Sequence, residues 1–201
     1  MAMPLLTRLV VTPLVGAVLI ALLPPEPLAA VRRAALVFAL VPFAISLVVL
    51  AWFPAGSADF QLVEQAAWIP AWGVQYRLGV DGISLFLVLL TTFLTPVVVL
   101  AAWGDVHRRV KEYFALLLVL ESGMLGTFLA LDLFLFYVFW EAMLIPMVIL
   151  IGVWGGQRRV YAAVKFMLYT MAGSLLMLVA ILYCAWRVKS ETGAFAFGYE
   201  H

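Results

Sequence analysis

The stretch YFALLLVLESGMLGTFLALDLFLFYVFWEAMLIPMVILIGV, residues 113–153, decides the fold, and its charged side chains are Glu121, Asp132 and Glu141 alone. A bilayer core of about 30 Å takes roughly 20 mostly apolar residues per helix. The stretch therefore reads as two membrane spans, Tyr113–Leu131 and Leu133–Val153, joined by a tight turn at Asp132. Four more apolar runs flank them: Leu9–Leu23, Ala34–Phe53, Gly82–Trp103 and Tyr161–Arg187. The expected fold is all-α, a polytopic transmembrane bundle of about six helices in a single membrane domain over residues 1–201.

Composition says the same. Of 201 residues, 67% are hydrophobic and 11% charged, where a soluble domain carries roughly 25% charged residues. A water-soluble fold of this size has no interior large enough to hide that apolar surface. The net charge of +1 excludes nucleic acid as a partner, since such binders cluster Lys and Arg. The partner implied is the lipid bilayer. The single cysteine, Cys184, supports neither a disulfide framework nor a thiolate metal cluster. Arg8 ahead of an apolar stretch has the look of a secretory signal, but the run is long, Pro24 and Pro25 close it and further spans follow, so a retained first helix is expected.

Residues 54–80 break the pattern. This segment holds Gly56, Ser57, Asp59, Glu64, Pro70 and Gly73, with Trp68, Trp72 and Tyr76 of the kind found at headgroup depth. It is expected to be a surface loop between helices two and three, as an extended segment or a short hairpin lying against the membrane. The connections after helices one, three and five carry Arg32, Arg33, Arg108, Arg109, Lys111, Arg158 and Arg159; the opposite side has Arg8, Arg77, Arg187 and Lys189. Cytoplasmic loops are enriched in Lys and Arg, so both termini are expected on the non-cytoplasmic side.

Two carboxyls fall at membrane depth, Glu121 in the fourth span and Glu141 in the fifth. An ionised side chain there costs several kcal/mol, so it faces protein or trapped water, or it keeps its proton. A carboxyl that gains and loses a proton inside a membrane is what a proton relay requires. Pro146 lacks an N–H and frees the carbonyl of Ala142, loosening the helix beside Glu141, and Tyr137 lies one turn away, in reach to donate a hydrogen bond. Lys165, one turn into the sixth span, either snorkels to the interface or faces the bundle and tunes an acid. Each glutamate also has a plainer reading as an interhelical hydrogen-bonding device that never titrates. Asp81 and Asp132 stand where N-caps stand, and Gly173-Ser174 suits close packing or a bend in span six. The histidines are His107 and His201, too few for a metal site or a Ser-His-Asp set, and no phosphate-binding glycine loop is present. No cofactor and no metal are expected in this chain.

Several segments carry a resemblance: Leu78-Gly79-Val80-Asp81-Gly82-Ile83-Ser84, Glu121-Ser122-Gly123-Met124, the run Leu131 to Glu141 with Leu144-Ile145-Pro146-Met147, and Gly155 to Phe166. Over nearly the whole chain these make it similar to the N-terminal part of the antiporter-like, proton-pumping membrane subunits of respiratory complex I. The resemblance implies a subunit of a machine that oxidises NADH, reduces quinone and pumps protons across the cell inner (plasma) membrane. It implies further membrane subunits as partners and redox cofactors held in other chains. It also assigns Glu141 as the principal charged residue of the proton channel, paired with a lysine on a seventh helix, with Glu121 and Lys165 as supporting members. The family continues well past six helices, so the chain is expected to be a fragment or a split subunit. A multi-subunit Na⁺/H⁺ antiporter subunit and an inert scaffold are the alternatives.

Overall fold

The computed structural model describes all residues except 1–3, 25–26, 55, 57–58, 194 and 199–201. Pro25, Ser57 and His201, used in the reading above, lie outside the described residues. Six helices, α1 (Leu5–Leu22), α2 (Leu28–Trp52), α3 (Gly82–Asp105), α4 (Val110–Leu129), α5 (Leu133–Trp154) and α6 (Arg159–Thr192), are each long and apolar enough to cross a membrane. The protein is a multi-pass membrane bundle. Helix α6 has 34 residues, or about 51 Å at 1.5 Å per residue, well beyond a hydrocarbon core of about 30 Å. Its last turns therefore project past the bilayer, which is why the hydropathic reading ended it early, at Arg187.

Helix α4 is the hub, packed against α1, α2, α3 and α5. Its small residues permit this. A Cβ at Gly123 would come within 2.6 Å of Met143 Cγ on α5, and one at Gly126 would run into the Phe139 ring. Gly126→Ala is expected to force α4 and α5 apart and cost about 1–3 kcal/mol, read as a lower unfolding temperature in detergent. An unchanged temperature would mean the seam is slack.

The connection between α2 and α3 contains an antiparallel hairpin, β1 (Gln61–Ile69) and β2 (Val74–Val80), in register Glu64↔Leu78 and Ala66↔Tyr76. A 3₁₀ turn at Pro70–Trp72 and Gly73, at φ 69°, reverse the chain. The inner strand β2 buries Val74, Leu78 and Val80, whereas Trp68 and Trp72 stay exposed. Glu64 reaches down to the start of α1. Its Oε1 accepts from the Leu6 N–H at 2.7 Å, and its Oε2 accepts from the Thr7 N–H at 2.9 Å and from the Thr7 hydroxyl, which also meets the Tyr76 hydroxyl at 3.1 Å. Burial, with the Glu64 charge adding to it, raises the Tyr76 hydroxyl above its ordinary value despite the bond to Thr7.

Both expected N-caps form. Asp81 and Ser84 make a reciprocal capping box at the start of α3. Asp132 Oδ1 accepts from the Phe134 and Leu135 N–H groups at 3.0 Å each, while Oδ2 accepts from the Gln75 N–H at 3.1 Å, tying the hairpin to α5. Desolvation pushes the Asp132 carboxyl above the usual aspartate range, against the pull of these three bonds. At the other end of the bundle the basic connections are cross-tied. Arg32 donates to the Val106 carbonyl at 3.1 Å, Lys111 donates to the carbonyls of Ala21 and Leu23, and the Trp154 indole donates to the Arg108 carbonyl.

Candidate functional site

Glu121 sits in the middle of α4 between the fully buried Leu118 and Leu125, and is itself 0% exposed. Its helix neighbour Ser122 turns toward α1, donating to the Val10 carbonyl at 2.7 Å, which leaves the carboxyl facing α3. There the Thr95 hydroxyl acts on it. That hydroxyl donates its proton to the Thr91 carbonyl at 3.0 Å, so neither Glu121 oxygen has a hydrogen-bond partner.

Glu141 lies on α5 and faces the other way. It opens onto a groove of about 510 Å³ between α5 and α6, lined by Val138, Ile145, Val148, Met167 and Met171. Its Oε1 is buried and unpartnered. The Tyr137 hydroxyl acts on this carboxyl and on the Ser174 hydroxyl of α6 at once, and Ser174 is 3% exposed. Pro146 stands within α5, one turn beyond Glu141. Gly173 meets nothing within 4 Å, so the close packing expected at Gly173-Ser174 does not occur at the glycine.

Lys165 is exposed near the basic end of α6, its Nζ 5.9 Å from the Tyr161 ring centroid. Among the described residues it forms no ion pair with either acid; the single printed salt bridge joins Arg187 and Glu191. The three singled-out residues thus occupy three places: Glu121 against α3, Glu141 against α6, and Lys165 at the interface. No group of His, Cys, Asp or Glu that could hold a metal occurs among the described residues.

Thr92, Thr95 and Ser46 escaped the sequence reading. Ser46 and Thr92 join hydroxyls at 2.8 Å across α2 and α3, and both are 0% exposed. The signal was present in Thr91, Thr92 and Thr95 beside Pro96, a polar cluster at mid-span where lipid offers it no partner.

Six spans with carboxyls held inside two of them, and a cross-tied basic rim at one end, define a polytopic membrane protein built around buried ionisable groups. Comparison with known proteins narrows this. Residues 130–195 match the family model described as NADH:quinone oxidoreductase/Mrp antiporter, TM. NADH-quinone oxidoreductase subunit M of Rhodobacter capsulatus is 55% identical over 148 residues, 74% of this chain and 28% of the relative. NADH-ubiquinone oxidoreductase chain 4 of Arabidopsis thaliana is 44% identical over 178 residues, 88% of this chain and 36% of the relative. A chain of respiratory complex I from Thermus thermophilus superposes with a TM-score of 0.79 at 31% identity, covering 97% of this chain and 38% of that one. A chain of the Mrp complex from Dietzia shares the fold at a TM-score of 0.75 and 24% identity, with 94% of this chain and 20% of that one covered. The chain belongs to the antiporter-like membrane subunits of NADH-quinone oxidoreductase, the subunit M or chain 4 family. It spans about a third of the length of these relatives.

Proposed function

We propose that this chain is part of a complex I membrane subunit that translocates protons across the cell inner (plasma) membrane, driven by electron transfer from NADH to quinone. The observation that carries this reading is the pair of carboxyls inside the bundle with buried oxygens that no hydrogen bond satisfies. An acid serving only to fasten helices would be paired. One that changes charge during turnover needs a place where its partners are few and exchangeable. Glu141 opening onto the α5–α6 groove is the principal relay group, Glu121 supports it, and Lys165 supplies a cation at the entry side.

Redox cofactors belong to other subunits in this reading, and the partners are further membrane subunits, lipid and the transported proton. The cross-ties among the basic connections support placing that end in the cytoplasm under the positive-inside tendency, with both termini opposite. Identity of 55% and 44% to quinone oxidoreductase subunits, against a fold-level likeness to the Mrp chain, favours the redox-driven pump over the Na⁺/H⁺ antiporter. The test uses the full-length subunit in membrane vesicles. NADH-driven acidification that falls when the subunit is deleted supports the reading, and sodium-dependent proton exchange without NADH overturns it.

A further inference from the structure

The buried carboxyl of Glu121 and the Thr95 hydroxyl that faces it form a pair across α4 and α3 with an unusual bookkeeping of protons. Thr95 is 5% exposed and gives its hydroxyl proton to the Thr91 carbonyl, one turn back on its own helix, at 3.0 Å. A hydroxyl carries one donor and two acceptor lone pairs, so with its donor engaged Thr95 presents lone pairs alone to Glu121. An ionised carboxylate is acceptor-only and would meet those lone pairs with nothing to bind them. A neutral carboxyl has an O–H to offer. Neither Glu121 oxygen accepts a hydrogen bond from any described group, so the observed arrangement suits the neutral acid as donor. Ser122 is already committed to the Val10 carbonyl on α1.

We infer that Thr95 is a positioning residue for Glu121, a hydroxyl rotor that accepts from the neutral carboxyl and swings to donate to the ionised one. In the neutral state the carboxyl O–H donates to Thr95 Oγ1, and Thr95 donates to the Thr91 carbonyl. When the carboxyl O–H breaks and its proton passes to a water molecule of the conduction path, the Thr95 hydroxyl turns away from Thr91 and donates to the carboxylate. A single torsion then gives Glu121 a partner in both charge states. The released Thr91 carbonyl keeps its place in the helix ladder, so the swing costs little backbone order. Thr92, hydrogen-bonded to Ser46 on α2 at 2.8 Å, fixes this stretch of α3 so that the rotor keeps its aim.

The inference rests on the proton-translocation reading for its purpose, though not for its test. The full-length subunit in its assembled complex is compared by infrared spectroscopy with Glu121→Gln, and the difference isolates the carbonyl stretch of the protonated Glu121. Thr95→Val keeps the shape and removes the hydroxyl, and Thr95→Ala is a second hydroxyl-free variant should valine not assemble. Either is expected to move that stretch to higher frequency, and Thr95→Ser is expected to restore it. A band that is absent, or that Thr95→Val and Thr95→Ala leave in place, overturns the inference. Proton pumping by Glu121→Gln is measured on the same membranes. Normal pumping there would count against a role for Glu121 in translocation while leaving the band shift to decide the rotor.

Discussion

Glu141→Gln in the assembled complex is expected to cut the number of protons pumped per NADH severalfold. Glutamine keeps the size of the side chain and can still receive a hydrogen bond from Tyr137, whose hydroxyl acts on both Glu141 and Ser174. What it loses is the ability to change charge. A packing role would survive this exchange, since shape and hydrogen bonding are retained; a relay role would not. The measurement is acidification of inverted vesicles against NADH consumed. Pumping at the normal ratio would remove Glu141 from the mechanism, and with it the functional meaning of the groove between α5 and α6.

Glu121→Met is expected to act in the opposite sense on a different quantity. A carboxyl at the centre of a span costs about 2.5–3.5 kcal/mol on insertion scales, and this one has no hydrogen bond to set against that cost. Methionine is similar in length and flexible enough to fill the space among Leu118, Leu125 and α3. Replacing an unsatisfied buried polar group by an apolar one of like shape is neutral to stabilising. The bundle should therefore unfold at a higher temperature in detergent, while the assembled complex pumps less. That pairing, stability gained and activity lost, marks a residue kept for function. A lower unfolding temperature would show instead that Glu121 holds helices together.

The membrane-spanning architecture was legible because each helix announces itself locally, as a long apolar run closed by charge, Gly or Pro. Asp81 and Asp132 were legible for the same reason, since a cap acts on residues two or three places along. The errors fall where distance along the chain is large. Leu5 and Leu28 begin their helices several residues before Leu9 and Ala34, the starts set by hydropathy, because Arg8, Arg32 and Arg33 are accommodated in the first turns near the interface. The strands of the hairpin, the Glu64 clasp on Leu6 and Thr7, and the second bond of Asp132 to Gln75 depend on partners about 57 residues away. No local pattern encodes them.

The depth of Glu121 and Glu141 could be read, but not their heading. Which way a side chain points is fixed by how its helix is rotated in the bundle. Here Gly123 and Gly126 seat α4 on α5, and Ser122 is anchored to α1, so Glu121 is left facing α3. Matching depth on consecutive helices suggested one shared polar path; rotation gives each acid its own hydroxyl partner, Thr95 for one and Tyr137 for the other.

The clasps on the first helix bear on how the protein is made. Glu64 grips one end of α1, and Lys111 holds the carbonyls of Ala21 and Leu23 at the other. The first segment to leave the ribosome thus obtains its final anchors from residues translated much later. During biogenesis it must wait in the lipid, sliding laterally and rotating, until the fourth span arrives to lock it.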